Sequence, residues 1–94
     1  MLFYSYDPRP RAYGVQYKHN GKYKVAHANN EVILSAGAVA SPQLLMLSGI
    51  GPADHLKYHK IPVVVDLPVG FNMQSHVGVG ELIFTVKEKV WTLN

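Results

Sequence analysis

Apolar and polar residues alternate along the first third of the chain, which is the pattern of half-buried β-strands. Residues 2–6 are mostly apolar or aromatic, and a two-residue alternation runs through 11–18 and again through 22–28. Asp7 and the two prolines after it separate the first two segments with turn chemistry that excludes a helix. The pattern therefore predicts three successive strands.

The register between the second and third strands depends on which side chains share a face. A two-residue loop would set Tyr17 opposite Lys24 and place the two apolar stripes on opposite faces, whereas a three-residue loop aligns Tyr17 with Tyr23. Because apolar stripes on one shared face can be buried together, this reasoning favours the longer loop. We therefore predict a three-residue loop with Gly21 in the left-handed conformation, forming a bulge.

Residues 31–51 predict a strand, a turn of small residues and a helix. The apolar run 32–34 is typical of a strand covered on both faces. Ser41 suits an N-cap, Pro42 the first helical position and Gly49 a left-handed helix end. Glycine in the turn permits close backbone approach, and the following helix N-terminus favours phosphate. A packing turn without any ligand is the alternative that spacing leaves open.

The remaining residues predict short elements. Pro52 begins a helix through 53–57, residues 63–65 form a strand, 68–70 form a loop, and alternation over 77–86 predicts a further strand.

Composition narrows the possible partners. The formal net charge is +3, cysteine is absent, and the basic residues are scattered along the sequence, which argues against nucleic-acid binding. No apolar run approaches the ~20 residues of a membrane span. His55 and His59 share a helical face but have no third ligand, so we predict no metal site. The tyrosines of the predicted sheet are explained by cross-strand packing as well as by base stacking: Tyr4, Tyr6, Tyr13, Tyr17 and Tyr23.

Residues 37–51, Gly-Ala-Val-Ala-Ser-Pro-Gln-Leu-Leu-Met-Leu-Ser-Gly-Ile-Gly, closely resemble a signature of the glucose-methanol-choline (GMC) family of FAD-dependent oxidoreductases. Residues 67–77 resemble that family's Val-Gly-x-Asn-Leu-Gln-Asp-His segment, which lies near the flavin. Ser75 replaces the usual Asp there and so lacks the carboxylate that would orient neighbouring groups. The matching positions are Gly70, Asn72, Gln74 and His76.

This resemblance implies an α/β fold: part of a FAD-binding Rossmann-like domain with a β-meander and the entry to the substrate-domain sheet. Residues 1–69 would belong to the FAD-binding domain and 70–94 would begin the substrate-binding domain. Within the first part, the resemblance assigns a meander to 1–30, the signature to 31–51 and a return segment to 52–69.

The resemblance also implies an oxidoreductase that acts on the CH–OH group of a small alcohol or sugar and passes hydride to FAD. Glucose-dehydrogenase-like animal members are the nearest match and choline-dehydrogenase-like members the second. The implied cofactor-binding residues are Ala36, Gly37, Ser41, Asn72 and Gln74.

No catalytic residue is implied within the chain, because the family's base is a C-terminal histidine and its dinucleotide fingerprint lies near the N-terminus. The chain is therefore expected to be an internal piece of a longer enzyme and inactive alone. The alternative is a small, strand-rich, non-catalytic binding module derived from the same family.

Overall fold

The computed structural model describes residues 2–5, 9–78 and 80, and combines an antiparallel sheet with a small parallel β-α-β unit. The sheet contains β1 (Leu2–Ser5), β2 (Arg11–His19) and β3 (Lys22–His27), in that order. It is followed by α1 (Ala40–Leu47), β4 (Ile50–Gly51), α2 (Ala53–Tyr58) and β5 (Val65–Asp66). The three predicted strands of the first third are confirmed, with Tyr6 outside the described residues. Mixed strands and helices agree with the expected α/β class.

The β2–β3 hairpin closes through a two-residue loop, so the predicted three-residue loop is wrong. His19 pairs with Lys22, and the loop residues Asn20 and Gly21 have φ angles of 49° and 75°. Two successive positive φ angles are the geometry of a type I′ turn, whose twist matches that of the flanking strands. The left-handed conformation predicted for Gly21 is confirmed, but the bulge is not.

The observed register puts Tyr17 and Tyr23 on opposite faces of the sheet. Tyr17 lies opposite Lys24, and Lys18 lies opposite Tyr23. Aligned apolar stripes are required only where one face is buried. Every residue of β3 is exposed, so no burial opposes the register that the Asn-Gly turn selects.

Residues 31–35 form no strand within the described part of the chain, contrary to the prediction. A parallel strand is defined by hydrogen bonds to its neighbours. None of the described strands pairs with 32–34, and Ile33 is 75% exposed. An apolar run alone therefore did not make a strand here.

Helix α1 begins two residues earlier than predicted. Val39 occupies the N-cap position without a side-chain hydrogen bond, and Ala40 is the first helical residue. Pro42 still falls in the first turn, where backbone N–H groups have no intrahelical acceptor. At the other end, Gly49 has a φ of 87°, and this confirms the predicted left-handed stop.

The β4-α2-β5 unit holds the only fully buried large side chain of the described residues, Leu56. Strands β4 and β5 are parallel, with Ile50 opposite Val65. The strand predicted over 63–65 begins only at Val65. The N–H group of Val64 already donates to the Gly49 carbonyl oxygen at 2.8 Å, ahead of the ladder. The helix predicted after Pro52 is confirmed as α2.

Ser48 connects the antiparallel sheet to α1. Its hydroxyl oxygen accepts a hydrogen bond from the Leu2 N–H group at 2.9 Å and donates to the Leu44 carbonyl oxygen at 2.6 Å. Ser48 is buried. The start of β1 is thereby fixed against the C-terminal end of α1.

The strand predicted over 77–86 lies mostly outside the described residues. In the part that the structure describes, no helix has the length and apolar character needed to span a bilayer.

Candidate functional site

A groove of about 370 Å³ separates the start of α1 from the loop after β5. It brings together the two segments that the sequence singles out, although they are far apart along the chain. Four of the five predicted cofactor-binding residues line it: Gly37, Ser41, Asn72 and Gln74. Ala36 does not line the groove but precedes its first lining residue.

Glycines with positive φ angles lie on both sides of the groove. Gly37 and Gly70 have φ angles of 94° and 91°, a conformation that other residues rarely adopt. A Cβ atom added at either position would meet no heavy atom within 4 Å. The groove therefore offers exposed backbone and free space, which suits a flat ligand that must approach the main chain closely.

The residues just before α1 offer backbone N–H groups to a ligand. The N–H groups of Gly37 and Ala38 have no hydrogen-bond partner among the described residues. The helix begins at Ala40, and the positive end of its dipole favours an anionic or oxygen-rich ligand group. The Gly37 carbonyl oxygen is already used, because it accepts from the Ser41 N–H group at 3.0 Å.

Ser41 does not cap α1 as predicted; its hydroxyl group instead stabilises the turn before the helix. The hydroxyl oxygen accepts a hydrogen bond from the Ala36 N–H group at 3.0 Å. A serine hydroxyl can donate its own proton while it accepts. Since Ser41 lines the groove, its proton is available to a ligand, whereas the Ala36 N–H group is not.

The second segment contributes two exposed amide side chains. Asn72 and Gln74 make no side-chain hydrogen bond within the described part of the chain. The loop is held by its own backbone, where the Val69 N–H group donates to the Leu67 carbonyl oxygen at 2.8 Å. Both amides are therefore available to a ligand.

His76 lies beside the groove rather than in it. Together with Ala38, Gln74 and Ser75 it lines an adjacent cavity of about 540 Å³. Sequence reasoning missed Leu45 and Met73, which supply apolar surface to the groove. Leu45 lies one helical turn after Ser41, so helical periodicity was the signal that could have identified it.

His55 and His59 form a ring pair on α2, with centroids 4.8 Å apart in an edge-to-face arrangement. Among the described residues, no three His, Cys, Asp or Glu side chains converge in a way that could hold a metal ion. The absence of a metal site stays a prediction.

Comparison with known proteins assigns the family. The family model described as GMC oxidoreductase matches residues 2–78, most of the chain. The chain belongs to the GMC oxidoreductase family. FAD is the usual cofactor of this family, and its members are oxidoreductases.

Individual relatives are similar over about seven tenths of the chain. Mitochondrial choline dehydrogenase of Homo sapiens is 62% identical over 68 residues, which cover 71% of this chain and 11% of that protein. Patulin synthase of Penicillium expansum is 54% identical over 68 residues, covering 71% and 11%. Oxygen-dependent choline dehydrogenase of Burkholderia thailandensis is 52% identical over 68 residues, covering 71% and 12%. The chain thus spans about a tenth of the length of these relatives.

Proposed function

We propose that this chain forms one side of the FAD-binding site of an oxidoreductase that oxidises the CH–OH group of an alcohol. One observation carries the proposal: the signature turn and the Asn-Met-Gln segment meet in a single groove. When bound, FAD supplies the hydride acceptor, and the protein supplies position and electrostatics.

Each side of the groove has its own part in binding. The free N–H groups of Gly37 and Ala38 and the Ser41 hydroxyl donate to oxygen or nitrogen atoms of the cofactor. Ala36 acts indirectly, because its N–H group orients the Ser41 hydroxyl. Across the groove, the amides of Asn72 and Gln74 can both donate and accept.

The proposed domain division places 1–69 in the FAD-binding domain and 70–94 at the start of the substrate-binding domain. We propose that the 94 residues alone do not turn over a substrate, because they carry neither a dinucleotide fingerprint nor the family's base. Their burial supports this. In the described part, only one large side chain is fully buried, and α1 buries none of its residues. Apolar surface of this kind requires a partner.

The donor we propose is a small alcohol. The sequence resemblance to glucose-dehydrogenase-like members points to a sugar, and the names of two relatives above point to choline. Both donors should therefore be tested as substrates of the natural polypeptide that carries this chain. Bleaching of the flavin absorbance by one donor under anaerobic conditions would identify it, and no bleaching by any alcohol would contradict the proposed reaction.

A pair of variants tests the groove itself. Ala38→Phe fills the groove, whereas Val39→Phe changes the adjacent exposed residue, which does not line it. We expect Ala38→Phe to weaken flavin binding ~10-fold or more, a loss of about 1.4 kcal/mol, and Val39→Phe to leave it unchanged. Equal flavin content in both variants, with native circular dichroism, would place the cofactor elsewhere.

A further inference from the structure

Although basic residues occur along the whole sequence, the β2–β3 hairpin and its flanking residues, 9–28, contain no acidic residue to offset theirs, and the proposed function does not use this positive charge. They contain five of the chain's nine lysine and arginine residues and none of its six acidic residues. The five are Arg9, Arg11, Lys18, Lys22 and Lys24. None of them forms an ion pair with a carboxylate within the described residues. We call residues 9–28 the basic hairpin.

The end of the basic hairpin is exposed on both faces. All six residues of β3 are exposed, as are the last three residues of β2. Tyr17 and Tyr23 are 45% and 72% exposed. Large aromatic side chains thus share this exposed end of the sheet with cations that form no ion pair among the described residues.

The two-residue loop places a tyrosine and at least one lysine on each face of the hairpin. On one face Tyr17 lies opposite Lys24. On the other face Tyr23 lies opposite Lys18, and this pair is one residue nearer the turn. The ammonium of Lys18 lies 5.9 Å from the centre of the Tyr23 ring. Each face therefore presents a tyrosine opposite a lysine, and the Tyr17 face carries Lys22 as well.

This arrangement fits a partner that surrounds the end of the hairpin. A single-stranded nucleic acid stacks its bases on aromatic side chains along one groove, but here the two tyrosines face opposite ways. A lipid headgroup layer contacts both faces at once. Tyrosine concentrates at membrane–water interfaces, and lysine directs its ammonium to the lipid phosphates while its methylenes stay with apolar surface.

We propose that the basic hairpin is a membrane-docking element that enters the headgroup layer of anionic phospholipids turn-first. Tyr17 and Tyr23 lie at the interface on either face, and the surrounding lysines contact lipid phosphates. Juxtamembrane basic residues each contribute about 1 kcal/mol near an anionic surface, or roughly a fivefold change in partitioning. The inference is independent of the proposed cofactor site, which lies on other elements.

The experiment is flotation of the natural polypeptide that carries this chain with lipid vesicles. Vesicles of phosphatidylcholine alone are compared with vesicles in which about one third of the lipid is phosphatidylserine, a fraction high enough to set up an anionic surface potential. We expect co-flotation with the anionic vesicles only. Raising the salt from about 0.15 M to about 1 M shortens the Debye length from about 8 Å to about 3 Å and should release the protein.

Two charge-matched variants locate the effect. Lys22→Gln/Lys24→Gln should weaken partitioning ~25-fold, from roughly fivefold per lysine, whereas Lys57→Gln/Lys60→Gln on and after α2 should change it less than about twofold. Tyr17→Ser/Tyr23→Ser should also weaken binding at unchanged net charge. Circular dichroism confirms that each variant is folded.

Three outcomes would overturn the proposal. Equal binding to neutral vesicles would exclude an electrostatic headgroup contact. Equal losses in the two lysine pairs would mean that net charge alone acts. Tighter binding to a single-stranded oligonucleotide than to anionic vesicles, lost in the tyrosine variant, would assign the basic hairpin to nucleic acid instead.

Discussion

The hydroxyl oxygen of Ser41 accepts a hydrogen bond from the backbone N–H group of Ala36 across the turn that precedes α1. The contact measures 3.0 Å, and it joins the first helical turn to the residue before Gly37. It braces the turn that contains Gly37 and Ala38, two residues that line the groove. Ser41 thus both shapes the candidate site and lines it.

Ser41→Ala should weaken flavin binding to the natural polypeptide about tenfold, because a hydrogen bond contributes about 0.5–1.5 kcal/mol and the turn is also loosened. Flavin release on dilution measures the change. Ser35→Ala is the matched control, since the exposed Ser35 hydroxyl has no partner among the described residues. Identical affinities for the two variants would remove Ser41 from the site.

Ser48→Ala should lower the free energy of unfolding by about 1–3 kcal/mol. The substitution leaves the Leu2 N–H group without its acceptor in a partly buried position, where an unsatisfied donor is costly. Urea denaturation measures the loss. Ser75→Ala, at an exposed serine without a hydrogen bond in the described part, should cost less than about 0.5 kcal/mol.

Gly49→Ala should destabilise the protein by about 3–5 kcal/mol. An added Cβ atom would lie 2.5 Å from the Pro62 carbonyl oxygen, and the φ of 87° is itself unfavourable for alanine. The clash lies where β4 begins to pair with β5, so the parallel pair has to move.

Gly21→Ala separates the cost of the positive φ angle from the cost of the steric clash at Gly49. Gly21 has a φ of 75°, but a Cβ atom there would meet nothing within 4 Å. We expect a loss of about 1–2 kcal/mol from conformation alone. If Gly49→Ala and Gly21→Ala lowered the urea midpoint equally, the structure would have moved to remove the predicted clash between the added Cβ atom and the Pro62 carbonyl oxygen.

Lys60→Gly should stabilise α2 by about 1 kcal/mol. Lys60 has a φ of 57° after the end of the helix, where the Ile61 N–H group donates to the Leu56 carbonyl oxygen at 2.9 Å. This is a Schellman motif with lysine where glycine is favoured. Hydrogen exchange at the Leu56 N–H group should slow about fivefold, the equivalent of that free energy.

The same substitution inside the helix should have the opposite sign. Lys57→Gly removes an exposed side chain from α2, where glycine costs about 1 kcal/mol. Faster exchange for Lys57→Gly and slower exchange for Lys60→Gly are expected together. Faster exchange in both variants would mean that the Lys60 side chain itself stabilises the helix end.

The sequence predicted those features that depend on nearby residues. Gly49 ends α1 and Pro52 precedes α2, because positive φ and a missing N–H group are properties of single residues. The signature in 37–51 indicated the family, and the family model then matched 2–78. Local chemistry was sufficient for each of these.

Other features depended on what each segment contacts in space. The apolar run 32–34 lacks a paired neighbour among the described residues, so its composition did not make it a strand. Ser41 had the right residue type for a cap, yet its hydroxyl bonds to Ala36, because the helix already begins at Ala40. A side chain's hydrogen-bond partner is set by the three-dimensional path of the backbone, which residue type does not specify.

The sequence by itself determined the family, the left-handed conformation of Gly21 and Gly49, and the start of α2 after Pro52, because these follow from local backbone energetics and from a spaced motif. Tertiary structure decided that Tyr17 and Tyr23 face opposite ways and that Gly37 and Asn72 line one groove. The first outcome follows from the exposure of β3, which leaves the register to the Asn-Gly turn. The second needs the β4–β5 pairing that returns the chain to the start of α1, a long-range contact that sequence spacing does not encode.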